Sequence, residues 1–288
     1  MWRAAGCQAS IALPGLGGAR SGGDNGCMCL VAFAWLAHPS WRLVLAGNRD
    51  EFHARPAAPL AHWDEEPGVI GGRDLEAGGM WLGVDENGRA GVVTNVRDPQ
   101  ASRDGRSRGD LLVEYLRGRR PADEHAAAMT ARAAEYRPFN LVLFDPLDAA
   151  VITNHPNAIW EEIRPGVQAL SNGAPNAVWP KTRRLRAALT EWLAEADAPL
   201  KDLCTALADE TIAPDAELPD TGVGLEVERR LSPAFIRGKT YGTRASTLLA
   251  IAHSGEGFII ERRFGPDGRF DGETTLRFEG GPVARVMD

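Results

Sequence analysis

The chain has 288 residues, 44% of them hydrophobic and 25% charged, with a formal net charge of −7 at pH 7. A chain of this size and balance folds around a substantial core, and its acidity speaks against a nucleic-acid-binding face, which needs clustered basic residues. No run approaches the roughly 18 apolar residues of a membrane-spanning helix, which excludes an integral membrane segment.

Residues 1–27 are glycine-rich around Pro14 and have no sustained periodicity. Ile11-Ala12-Leu13 is too short for the core of a secretory signal, so the segment reads as a disordered leader or a mis-assigned start. Residues 28–288 are expected to form a single domain. Strand patterns at 30–35 and 42–46 predict a hairpin, whose second arm runs into Gly47-Asn48-Arg49-Asp50-Glu51. Strands at 79–84 and 90–95 flank the turn residues Asp85-Glu86-Asn87-Gly88. Asp110 reads as the N-cap of a helix over 111–117 with Gly118 as its stop, and 122–136 reads as an alanine-rich helix. Strands at 139–144, 149–153 and 167–171 precede a helix at 179–196 and a shorter one around Leu203. Strands at 245–252, 258–264 and 274–278 close the chain. Hairpins, then helices, then hairpins predict an α+β fold of sheets sandwiched by helices.

The chemistry centres on Met28-Cys29. If Met28 is the initiator, the small cysteine allows its removal and leaves the α-amino group on Cys29. A thiol with a pKa of about 8.5 beside an amine of about 7.7–8.0 is a nucleophile with a built-in base. Such a site needs an arginine to favour the thiolate, a carboxylate to hold the amine, and donors for an oxyanion. Arg49, Asp50, Asn95, Asn172 and Arg244 all fall at strand ends and are the candidates. Each also has a plainer reading: a buried strand start for Cys29, a network of salt bridges and turn caps for residues 48–51, Asx-turns for Asn95 and Asn172, and a simple ion pair for Arg244. Cys7, Cys27, Cys29 and Cys204 form no C-x-x-C pair, so neither a zinc site nor a disulfide framework is expected, and a reducing, cytoplasmic compartment follows. His38, His53, His62, His125, His155 and His253 lack ligand spacing, so no metal is expected.

Gly47-Asn48-Arg49-Asp50-Glu51 resembles the signature of the NRDE family, also called the transport and Golgi organisation protein 2 family. The likeness continues through Arg55-Pro56, Gly72-Arg73-Asp74, Trp81-Leu82-Gly83, Thr94-Asn95, Arg108-Gly109, Leu170-Ser171-Asn172, Trp179-Pro180-Lys181 and Tyr241-Gly242-Thr243-Arg244. Members characteristically begin Met-Cys, as Met28-Cys29 would. The family is in turn similar to the N-terminal nucleophile cysteine hydrolases such as penicillin V acylase and bile salt hydrolase. That resemblance implies a four-layer αββα sandwich and hydrolysis of an amide bond. In it Cys29 is the nucleophile, Asp50 holds its amine, Arg49 assists the thiolate, Asn95 and Asn172 serve the oxyanion, and Arg244 completes the polar floor. It implies no required cofactor. The family's links to heme trafficking and to acyl-CoA or lipid handling imply an alternative: a non-catalytic carrier of heme or another small hydrophobic ligand. One departure stands out. The hydrolases separate their Arg and Asp by two residues, whereas Arg49 and Asp50 are adjacent, and neighbours on an extended strand point to opposite faces.

Overall fold

The computed structural model describes residues 28–102, 104–195 and 198–280; the expectation for residues 1–27 lies outside them. β1 (Met28–Trp35) and β2 (Trp41–Phe52) form the expected hairpin. At its turn His38 Nδ1 accepts from the backbone nitrogens of Ser40 and Trp41 at 3.1 and 3.3 Å. β2 does not end at Ala46 but stays extended through the polar block, because that block has partners on both sides. Asn48 donates to the carbonyls of Leu207 and Ala234 at 2.8 and 2.7 Å and accepts from Ser246 Oγ at 2.7 Å.

β3 (Ala57–His62) and β4 (Val69–Asp74) follow, neither predicted above. β3 is an edge strand with Leu60 as its one buried residue, and β4 carries two glycines, so the apolar pattern is weak in both. β5 (Leu82–Asp85) and β6 (Ala90–Asn95) come next. α1 (Gly109–Arg117) stops at Gly118 as expected, with Asp110 inside its first turn rather than at the cap. α2 (Ala122–Thr130) is shorter than its pattern, and a 3-10 turn follows. That turn is held by Asn154, whose side-chain amide donates to the carbonyls of Ala133 and Tyr136 at 2.9 and 3.0 Å.

β7 (Phe139–Phe144), β8 (Ala149–Thr153), β9 (Ile159–Glu162) and β10 (Gly166–Leu170) lead into α3 (Pro180–Ala194). α3 begins with Pro at its first position, and Thr182 Oγ1 accepts from the backbone nitrogen of Trp179 at 2.9 Å. α4 (Leu203–Leu207), α5 (Leu225–Leu231), β11 (Tyr241–Ala252), β12 (Gly257–Phe264) and β13 (Phe270–Phe278) complete the chain.

The strands build two antiparallel sheets, ordered β10-β1-β2-β11-β12-β13 and β3-β4-β5-β6-β7-β8-β9. Side-chain alternation assigns each face. Val31, Phe33, Leu43 and Leu45 pack between the sheets against Leu82, Val92 and Phe144. Leu30, Ala32, Val44 and Ala46 point the other way, onto Leu185 and Leu189 of α3 and Leu207 of α4. On the far side Leu141 and Leu143 of β7 meet Leu112 of α1 and Met129 of α2. The result is the four-layer αββα order. Burying a Leu or Phe side chain is worth about 1.5–3 kcal/mol, so a one-residue slip of β1 or β2, which would exchange both faces, is heavily disfavoured. That register orients the site. Among the described residues no helix is long and apolar enough to cross a membrane.

Candidate active site

Cys29 shares the inter-sheet face of β1 with Val31 and Phe33. Its cross-strand partner is Arg49, and Met28 lies opposite Asp50. Because β2 is extended throughout, Arg49 faces the Cys29 side and Asp50 the helix side. The residue whose removal would give Cys29 its amine is therefore the one that faces Asp50.

The Cys29 backbone is held by side chains. Its nitrogen donates to Asn172 Oδ1 at 3.2 Å, and its carbonyl accepts from Ser171 Oγ at 2.6 Å. Asn172, fully buried, also donates from Nδ2 to the Asn95 carbonyl at 2.9 Å, tying β1 to the end of β6 across the sheets. Thr94 Oγ1 donates to the Ser171 carbonyl at 2.9 Å. Asn172→Ala takes the acceptor from the buried Cys29 nitrogen and cuts the tie to the Asn95 carbonyl at the cleft, and is expected to cost about 1–3 kcal/mol, the penalty of one buried group losing its partner; urea denaturation measures it.

Beside this clamp a cleft opens between the sheets. Arg49, Asn95 and Arg244 line it, together with Met80, Trp81 and Phe264, whereas Cys29, Asp50 and Asn172 lie behind its wall. Cys29 is 1% exposed. Arg49 is within 3.6 Å of Glu51 and 3.5 Å of Asp74, and Arg55 donates to Asp74 at 2.7 Å. Burial pushes the Asp74 carboxyl up, but its bonds from Arg55 and the Ala77 nitrogen hold it below its ordinary value. Arg244 sits at the bulge between Thr243 and Ala245 and donates to the carbonyls of Phe52 and Arg55, both at 2.9 Å. Burial lowers its guanidinium, as does the like charge of Arg49.

On the helix side Asp50 is fully buried, and its Oδ1 accepts from Thr243 Oγ1 at 2.6 Å. Oδ2 is buried without a hydrogen-bond partner. Burial pushes this carboxyl up to about 6, opposed by the positive charges of Lys181, Arg49 and Arg97 and by the Thr243 bond. Burial likewise draws the Lys181 ammonium down to about 8, with Asp50 the main opposing charge. Lys181, Arg97, Glu228, Thr243 and Ser171 are the site's neighbours that sequence reasoning left without a role. The available signals were their places in quoted motifs, Ser171 in Leu170-Ser171-Asn172, Thr243 in Tyr241-Gly242-Thr243-Arg244 and Lys181 in Trp179-Pro180-Lys181, Lys181 being also one of three lysines in an arginine-rich chain; Arg97 and Glu228 carried none. Among the described residues no group of three or more His, Cys, Asp or Glu side chains is placed to hold a metal ion.

A cysteine at the start of a central strand, clamped between two antiparallel sheets that are flanked by helices, has the layer order of the N-terminal nucleophile hydrolases. The chain belongs to the Transport and Golgi organisation 2 family, whose model matches residues 28–266. It is 30% identical over 260 residues to the Bos taurus Transport and Golgi organization protein 2 homolog, covering 82% of this chain and 92% of that protein. With the Mus musculus homolog it shares 29% over 255 residues at the same coverages. A solved Caenorhabditis elegans N-acylethanolamine-hydrolyzing acid amidase ortholog superposes with a TM-score of 0.48 at 12% identity, covering 77% of this chain and 92% of that one.

Proposed function

We propose that the chain, when it begins at Cys29, hydrolyses an amide bond through a Cys29 thioester. The observation that carries this reading is the pairing at the head of β1: Arg49 across from Cys29, and the buried, partly unsatisfied carboxylate of Asp50 across from residue 28. The α-amine takes the thiol proton, and Sγ adds to the substrate carbonyl. Asn95, from the cleft wall, and the second Nδ2 proton of Asn172 donate to the oxyanion. The C–N bond breaks as the ammonium returns its proton to the leaving amine. Water, deprotonated by the same amine, then releases the acid from sulfur. Asp50 holds the amine, Arg49 favours the thiolate, and Arg244 keeps the cleft floor polar.

The test compares the full chain with protein prepared to begin at Cys29, using iodoacetamide and peptide mapping, followed by a screen of N-acyl amides. Cys29 is expected to react at least tenfold faster in the shorter protein. Cys204 serves as the slow internal reference, because burial pushes its thiol up. Equal slow labelling in both proteins with no amide turnover rejects the reading. The apolar cleft wall of Met80, Trp81 and Phe264 between arginines supports a second reading, a carrier that holds an acyl-CoA, a lipid or heme without reacting. No histidine or cysteine among the described residues lines that cleft, so it offers heme no imidazole or thiolate; ligand retention by purified protein tests the carrier.

A further inference from the structure

Behind the strand face that carries Cys29 lies a buried charge cluster of which the hydrolytic steps use only Asp50. Lys181, in the first turn of α3, is 1% exposed, and its ammonium donates to the Leu231 carbonyl at 3.1 Å. A lysine is costly there on two counts. Burial strips its hydration, and a helix N-terminus already carries the positive end of the dipole. The groups whose electrostatics reach it are Asp50 of β2, Glu228 of α5, Arg97 from the segment after β6 and, from the other face of β1, Cys29; Leu231, whose carbonyl it holds, packs with Met28, the cross-strand partner of Asp50.

Arg97 and Glu228 form an ion pair with each other, both side chains 4% exposed, and the Arg97 guanidinium also lies over the Trp179 ring at 4.8 Å. Glu228 Oε1 accepts from the nitrogen and hydroxyl of Thr221 at 3.0 and 2.6 Å. Asp50 gives one oxygen to Thr243 and keeps Oδ2 without a hydrogen bond. Once the Arg97–Glu228 pair is set aside, the cation and the carboxylate that remain to balance each other are Lys181 and Asp50.

We infer that Lys181 is a positioning residue of the Cys29 site: it is the buried counter-charge of Asp50 and, through that carboxylate, sets the charge on the amine and thiol of Cys29. This rests on the reading of Cys29 as nucleophile. It gives the Trp179-Pro180-Lys181 motif a role, with Pro180 starting the helix that delivers the ammonium under the sheet.

The chain has three lysines, Lys181, Lys201 and Lys239, and the other two are exposed. Protein labelled with ¹³C at lysine Cε therefore gives a resolvable signal for the buried one. In protein beginning at Cys29, the Lys181 signal is expected to titrate below the other two. Asp50→Asn is expected to lower its midpoint by about one pH unit or more, the usual effect of losing a close opposite charge. Lys181→Met is expected to slow Cys29 alkylation at pH 7 roughly tenfold, the rate equivalent of about one pKa unit, and Lys181→Arg to retain most of the native rate. A Lys181 signal that titrates with the other two, or that Asp50→Asn leaves in place, overturns the inference. Equal slowing by Met and Arg overturns it as well, because packing rather than charge would then be responsible. The resonance is read without substrate, so this failure is distinguishable from a failure to hydrolyse amides.

Discussion

Cys29→Ala, in protein that begins at residue 29, is expected to lower amide hydrolysis by a factor on the order of 10³ or more while leaving the fold intact. Removing a covalent nucleophile eliminates the acylation route, and what survives is the modest assistance of oxyanion donors and binding. The structural cost is small by comparison. The sulfur is a single atom at the edge of the inter-sheet core, and the backbone bonds to Asn172 and Ser171 do not depend on it. Cys29→Ser keeps a hydroxyl in place and is expected to lose alkylation entirely and turnover nearly so. Hydrolysis of N-acyl amides, measured beside an unfolding curve for each variant, separates chemistry from stability. Undiminished turnover in a folded Cys29→Ala protein would remove the hydrolase reading and leave the carrier.

The layer order was legible because β1, β2, β7 and β11 carry strong apolar runs with clear turn residues between them. β3 and β4 were not, since an edge strand with one buried residue and a strand with paired glycines have little apolar signal. The helix expected over 122–136 stops at Thr130, and the turn that replaces its last part is held by a residue distant in sequence, Asn154, which donates to the carbonyls of Ala133 and Tyr136. At the site, the adjacency of Arg49 and Asp50 raised a question of strand parity that the extended β2 answers geometrically. Two intervening residues and none give the same odd offset, so either spacing puts the two side chains on opposite faces of a regular strand. Arg49 faces the sulfur side and Asp50 the side of residue 28, and both lie at the head of β1 without sharing a face. Lys181 stood in a recognisable motif, but nothing in a sequence says that a lysine is buried, and its burial comes from α3, α5 and β2 converging from distant parts of the chain.

The Asp50–Lys181 pair yields an expected stability result that separates a functional arrangement from a structural one. Asp50 titrates in the fold at about 6, above its unfolded value of 3.8, so the stability it lends is full below 3.8 and is lost as the pH rises through about 6. Lys181 titrates at about 8, below its unfolded 10.5, so its contribution is full above 10.5 and is lost as the pH falls through about 8. Between these two values both groups are charged and both desolvation costs are felt. Lys181→Met alone leaves a buried carboxylate without its counter-charge and is expected to cost about 3–5 kcal/mol at pH 7, whereas Lys181→Met with Asp50→Asn is expected to recover that loss and match or exceed the native protein. The gain of the double variant over native is largest between about pH 6 and 8 and shrinks toward pH 4 and pH 10. Urea curves at pH 4, 7 and 10 measure it, and additive losses in the double variant would mean that the two groups are not coupled. A pair whose joint removal leaves the fold no weaker is not there to hold the sheet to α3. Its charges coexist between about pH 6 and 8, the range in which a cysteine thiol and an α-amine exchange a proton, as the proposed role beside Cys29 requires.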